Sequence, residues 1–309
     1  MTETTTAAGN SVCSRKIDVH AHAVLRDIYP THDNGRLRAL PTGEQVIAMY
    51  DRLGVERGML MPLLNPEYHA FMTTTEIVME IAERHPDRFS FACGLDPRMM
   101  RHSTDSDFGL LIEWYKKLGA KAVGELEGNL YFDDPLYDNL FAHCAEHNMS
   151  VTIHISPMIG YAYGLVDEPG LPRMERMLKK HPTLKVIGHS QAFWANLSAD
   201  VDSERMKGYP EGKIGKSGAV VRLMEKYENL YCDLSAGSGF NAMARDPEFA
   251  FRFMETFADR IFFGLDICTA QDPCKLPAWL DEQYLAGNIR WETYYKICRG
   301  NAERVLGLG

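Results

Sequence analysis

SVTIHISPMIGYAYGLVDEPGLPRMERMLKKHPTLKVIGH, residues 150–189, holds one complete strand–loop–helix–strand unit. Residues 150–155 and 185–189 are short apolar runs rich in β-formers, and between them residues 171–181 carry a helical pattern. The two runs are apolar almost throughout instead of alternating, as expected of strands buried on both faces of a parallel sheet. Each closes on a histidine, His154 and His189. In a closed α/β barrel the C-terminal strand ends form the mouth that carries the chemistry. This one unit therefore suggests both an architecture and the place to look for a site.

The same alternation extends in both directions. Strand patterns at 16–20, 57–62, 89–95, 122–125, 230–234 and 261–265 bring the number to eight, separated by helical stretches at 44–53, 74–85, 107–118, 135–147, 217–227, 247–258 and 273–285. Asp134-Pro135, Asp246-Pro247 and Asp272-Pro273 each place a capping carboxylate before a proline suited to the first helical turn. The longer connections, 26–41, 156–170, 191–216 and 235–246, follow strands, where substrate loops belong. A final helical segment from 291 onward is expected to close the bottom or edge. The expected fold is α/β, a single-domain (β/α)8 TIM barrel over residues 16–309 behind a polar tail at 1–15. An open doubly wound sheet is the alternative, and eight evenly spaced units favour closure.

Composition narrows the function classes. The net charge is −9 and the sequence lacks a dense basic run, which speaks against a nucleic-acid partner. No apolar run approaches the roughly 18 residues of a membrane span. The seven cysteines are scattered without a CxxC pair, a pattern suited to reduced thiols in the cytoplasm.

The first strand ends in Ile17-Asp18-Val19-His20-Ala21-His22, and residues two apart in an extended chain face the same way, so both imidazoles can reach one cation. His154, His189 and Asp266, the last in Gly264-Leu265-Asp266, also follow apolar strands. Five polar residues thus converge on one mouth. Imidazoles and a carboxylate suit a divalent ion, zinc first and manganese second, with an open position for water or substrate. Asp18, between the strand and the histidine pair, is expected to face outward or to orient a ligand. Cys268, two residues beyond Asp266, is expected to be a buried inert thiol, the alternative being that it touches the mouth.

In this combination and order, His20-x-His22, His154, Gly188-His189 and Gly264-x-Asp266 resemble the amidohydrolase superfamily, specifically the amidohydrolase-related branch that includes aminocarboxymuconate semialdehyde decarboxylase-like proteins. The resemblance covers nearly the whole chain. It implies that His20, His22 and His154 are metal ligands, Asp266 a ligand or the base, and His189 an acid–base group or a ligand of a second ion. Glu125, at the end of the fourth strand, departs from the single-metal pattern of the decarboxylase-like relatives. In other branches, such as the TatD-like hydrolases, a glutamate there bridges two metals. One or two ions are therefore open, as is a reading of Glu125 as the partner of a mouth arginine or of substrate. Relatives of this branch often form dimers, so a homodimer is an expectation from the resemblance alone.

The loops offer Tyr29, Tyr68, Phe71, Tyr161, Tyr163, Phe193, Trp194 and Phe240 together with Arg26, Arg98, Arg101 and Arg245. Aromatic surface with a few cations suits a small carboxylated molecule, with Arg26, Tyr161, Trp194 and Arg245 as the substrate-binding candidates. The alternative is that most of these side chains pack loops or stay solvated. The expected reaction is hydrolysis of an amide, ester or lactone by metal-activated water, with Asp266 taking the proton and His189 assisting. Non-oxidative decarboxylation of an aromatic or unsaturated acid is the second reading. A barrel reduced to a binding role is the third, and five retained strand-end groups argue against it.

Overall fold

The structure, a computed structural model, describes residues 16–28, 30–33, 36–67 and 71–309. The tail expected at 1–15, together with Cys13, Tyr29 and Tyr68, lies outside the described residues. The strands are β1 (Lys16–Ala21), β2 (Pro30–Asp33), β3 (Arg36–Ala39), β4 (Val55–Leu60), β5 (Phe89–Phe91), β6 (Val123–Leu126), β7 (Val151–Ser156), β8 (Leu165–Val166), β9 (Val186–His189), β10 (Leu230–Asp233) and β11 (Ile261–Phe262). The α-helices are α1 (Gly43–Leu53), α2 (Thr75–Arg84), α3 (Phe108–Lys117), α4 (Pro135–Glu146), α5 (Pro172–Lys180), α6 (Gln191–Ala195), α7 (Ala219–Lys226), α8 (Ala236–Ala244), α9 (Pro247–Thr256), α10 (Leu276–Leu285), α11 (Trp291–Tyr295) and α12 (Asn301–Leu306).

Parallel pairing runs β1–β4–β5 on one side and β6–β7–β9–β10–β11 on the other. Two bridges join these runs: Cys93 to Val123 connects β5 to β6, and Ala21 to Ile267 connects β1 to the chain just beyond β11. At that second seam the Val19 amide donates to the Phe263 carbonyl at 3.1 Å and the Asp266 amide to the His20 carbonyl at 2.7 Å. The eight parallel strands therefore close into a (β/α)8 barrel. Asp18 pins the same seam. Its carboxylate accepts from the amides of His20 and Leu265, each at 2.9 Å, and from the Tyr50 hydroxyl at 2.8 Å.

Two apolar layers follow from strands buried on both faces. Ile17, Val19, Met59, Met61, Ile187 and Phe262 fill the barrel with Ala302 and Leu306 of α12, so the last helix plugs the bottom. A larger layer packs the strands against the outer helices. Asn301 holds the plug by donating to the carbonyls of Ala258 and Ile261 at 2.7 and 2.8 Å.

Some local expectations are corrected. Asp134 and Asp246 do cap α4 and α9. Asp272 instead accepts from the amides of Cys268 and Thr269 in a turn, and α10 begins later, at Leu276. The stretches read as loops at 26–41 and 235–246 contain the β2–β3 hairpin and α8. Asp18 is fully buried and does not face outward. The six described cysteines are free, and among the described residues no helix is long and apolar enough to cross a membrane.

Candidate metal centre

The barrel mouth gathers side chains from six of the eight strands. His20 lies one residue before the end of β1 and His22 just past it, Glu125 comes from β6, His154 from β7, His189 from β9, Asp233 from β10, and Asp266 stands beyond β11. All are buried except Asp266, whose side chain is 15% exposed and is the one of this group most open to the mouth. The strand-end residues named from sequence thus lie together.

Glu125 sits among four imidazoles. Its Oε2 is 3.3 Å from His20 Nε2 and 3.7 Å from His22 Nε2, while Oε1 is 2.9 Å from His154 Nδ1 and 3.9 Å from His189 Nε2. The expected arginine alternative is replaced: among the described residues its ion-pair partners are all histidines. Asp266 Oδ1 approaches His22 Nε2 at 3.2 Å and Oδ2 approaches His189 Nε2 at 3.4 Å. Three donor trios have their ligand atoms within 4.8 Å of one another: His20, His22 and Glu125; Glu125, His154 and His189; and His20, His189 and Asp266.

The far side of the rings tests whether this set suits a cation. His20 and His189 direct Nδ1 to Asp233, each at 3.0 Å, and His22 directs Nδ1 to the Met61 carbonyl at 3.0 Å. With those nitrogens engaged, three Nε2 atoms face the carboxylates of the cluster. That is the disposition in which an outer acceptor fixes a metal-ligating imidazole, and the donor set fits a divalent ion. Electrostatics agree. Burial works to depress His20, yet Glu125, Asp266 and Asp233 outweigh it and hold the ring well above the ordinary imidazole value. Burial and the charge of His20 oppose the charge on His189, but Asp233 and Asp266 push it up to about 10. Burial works to raise Glu125 and Asp266, and the surrounding imidazoles win, leaving both well below the usual carboxylate range. The pocket thus favours positive charge at its centre.

The two motif glycines are places of close approach. A Cβ on Gly188 would lie 2.4 Å from the Phe193 ring, and one on Gly264 would lie 2.9 Å from Ser235 Cβ and 3.3 Å from His20 Cβ. Gly264→Ala should therefore displace His20 and weaken cation binding about tenfold, read by competition with a chromophoric chelator; unchanged affinity would mean that the neighbours yield freely.

The substrate-loop candidates scatter. Trp194 and Phe193 are buried, Trp194 against Phe253 at 6.2 Å between ring centres, in the helical layer. Arg245 is half-buried and donates to Ser198 Oγ at 3.2 Å, beside a cavity of about 270 Å³ whose lining includes none of the cluster. Arg98 is tied to Asp96 and Glu67, Arg101 pairs with Asp105, and Arg26 is exposed. Phe71 and Phe240 are partly buried against the core. Tyr161 is exposed, its hydroxyl 3.4 Å from the Lys207 carbonyl. Tyr163 does reach the centre, its ring 4.5 Å from that of His154. Cys268 reaches it too, its thiol 3.4 Å from Asp266 Oδ1 and held protonated by burial and by that charge.

Sequence reasoning missed Asp233 and Ser235. Ser235 Oγ stands 2.8 Å from His189 Nδ1. The Tyr209 hydroxyl has its acidity suppressed by burial and then by the charge of Asp266. A strand-end carboxylate in Tyr231-Cys232-Asp233 was the available signal for the first.

With this geometry in place, comparison with known proteins is informative. A family model described as amidohydrolase matches residues 17–308. The chain belongs to the amidohydrolase family. As an amidohydrolase it is a metal-dependent enzyme acting on small molecules, by hydrolysis or decarboxylation. A search of curated protein sequences finds no significant match. Among solved structures, similar barrels include an amidohydrolase from Burkholderia multivorans with bound zinc, at 15% identity and TM-score 0.60, covering 96% of this chain and 100% of that one. A putative 2-pyrone-4,6-dicarboxylic acid hydrolase from Pseudomonas putida matches at 16% identity and TM-score 0.60 over 95% and 97% of the two chains. A 2,6-dihydroxybenzoate decarboxylase from Rhizobium matches at 17% identity and TM-score 0.54 over 96% and 99%. At these identities the solved structures establish the shared barrel, and this amidohydrolase's reaction must be argued from its own residues.

Proposed function

We propose that the chain is a hydrolase of a small carboxylated substrate, holding two divalent cations, zinc by preference, with Glu125 between them. The observation that carries this is the division of Glu125: Oε2 faces His20 and His22, whereas Oε1 faces His154 and His189. A carboxylate shared in that way serves two ions better than one. His20 and His22 with Asp266 would hold the first ion, His154 and His189 the second. Glu125, Asp233 and Asp266 carry three negative charges, so one dication leaves the set at −1 and two bring it to +1, a balance that suits an anionic substrate.

Bound cations supply Lewis acidity toward a carbonyl oxygen and lower the pKa of water from 15.7 to roughly 7. Asp266, the carboxylate of this set most open to the mouth, takes the proton of the attacking water. Its Oδ2 lies 3.4 Å from His189 Nε2, so the accepted proton comes to rest beside the ring of the second ion's ligand. Tyr163 meets the centre through the His154 ring, and burial strengthens the charge interactions within the cluster.

Zinc-loaded protein is expected to hydrolyse members of a panel of carboxylated esters, lactones and amides, and to lose that activity to a chelator. Release of carbon dioxide from an aromatic or unsaturated acid, with no hydrolysis, would overturn the proposal in favour of decarboxylation by a single ion, with His189 as the acid.

Loading should depend on pH with a defined sign. Cations compete with protons at imidazoles whose proton affinity is raised, so affinity falls as pH falls and protons are released on binding. Without cation, the stability contributed by His189 is full below about 6.5 and is lost as pH rises through about 10. The melting temperature of chelated protein should therefore fall over that interval while that of zinc-loaded protein does not, and parallel curves would contradict this.

A further inference from the structure

Asp233 ends β10 and is fully buried. Its Oδ2 lies 3.0 Å from His20 Nδ1. Its Oδ1 lies 3.0 Å from His189 Nδ1 and accepts from the Ser235 amide at 3.0 Å and from the Ser235 hydroxyl. We infer that Asp233 is a positioning residue that sets the proton arrangement of both His20 and His189 at once, an inference that rests on the metal-centre reading above.

An ionised carboxylate only accepts hydrogen bonds. Each imidazole facing it must therefore carry a proton on Nδ1, since a bare Nδ1 would set lone pair against lone pair in a buried site. That choice leaves the Nε2 lone pairs aimed inward, His20 toward Glu125 at 3.3 Å and His189 toward Asp266 at 3.4 Å. Lone pairs facing carboxylates need a proton or a metal cation between them, and with Nδ1 already engaged the Nε2 side is the one at which the two compete. One buried side chain thus makes two rings, on strands far apart in sequence, ready for the same pair of ions.

Asp233→Asn separates the two rings. The Ser235 amide requires an acceptor at the Oδ1 position, so the Asn carbonyl oxygen stays on that side and still serves His189. The new NH2 group then faces His20 Nδ1, which can accept only by moving its proton to Nε2, the atom meant for the ion. Zinc affinity should fall about 10- to 100-fold, with the Nδ1 proton lost at His20 and kept at His189. Ser235→Ala leaves the carboxylate and the backbone amide in place, and should change zinc affinity by less than about threefold.

The test is chelator competition with zinc on the full chain, together with nitrogen NMR of the histidine rings. Zinc affinity of Asp233→Asn within twofold of wild type and an unchanged His20 spectrum would overturn the inference. Should that variant fail to fold, the spectrum of zinc-loaded wild type decides: Nδ1 protonated in both rings supports it, and a bare Nδ1 in either ring overturns it. Wild-type protein that takes up no zinc would defeat the metal-centre reading. The role of Asp233 would then be decided separately by the same ring spectra.

Discussion

Asp266→Asn is expected to lower kcat/KM about 100- to 10,000-fold, the range for loss of a general base, while leaving the folded protein intact. Asparagine keeps the shape of the side chain and one oxygen, so the contact of Oδ1 with His22 at 3.2 Å can persist. What disappears is the ability to take a proton at the position facing His189. Steady-state kinetics with zinc at saturation separates that loss from weaker loading, because only the chemical defect survives excess metal. Turnover close to wild type would remove Asp266 from proton transfer.

Glu125→Gln addresses the number of ions. Elemental analysis of protein loaded with zinc and then desalted should give about two equivalents per chain, falling to about one in the variant. Activity should fall about 100-fold or more. The reason is geometric: a neutral amide has one oxygen to offer and must turn its NH2 group toward either the His20–His22 pair or the His154–His189 pair. One equivalent in wild type, unaffected by the change, would favour the single-ion decarboxylase reading.

The physical reason some of this was legible in the sequence, and some not, lies in where each strand stops. Eight apolar runs separated by helical patterns give the barrel because strands buried on both faces cannot hide their composition. His20, His154, His189 and Asp266 stood out as polar groups at the ends of such runs. Asp233 obeyed the same rule and was passed over because the run at 230–234 was read one residue too far, taking Leu234 as its end and placing the carboxylate inside the strand, whereas β10 stops at Asp233. Helix α8 escaped for a different reason. Its sequence, AGSGFNAMA, contains two glycines that lower helix propensity, and packing against the barrel outweighs them. The loop candidates failed as a group because aromatic residues serve packing as readily as binding. Trp194 and Tyr163 look alike in the sequence, yet one is locked beneath the helices and the other meets His154.

The seam between β1 and the chain beyond β11 has a consequence for biosynthesis. Asp18 and Leu265, which meet there, are separated by 247 positions, and the proposed first ion draws its ligands from both sides of that join. A nascent chain that has not yet released β11 from the ribosome lacks Asp266 and cannot form this pocket, whatever its upstream strands have built. Ring closure over so long a span is entropically slow, and zinc that binds only the closed ring would act as a late clasp, shifting the equilibrium toward the finished barrel in proportion to free metal. Zinc supply during synthesis would then govern the yield of folded protein as well as its activity.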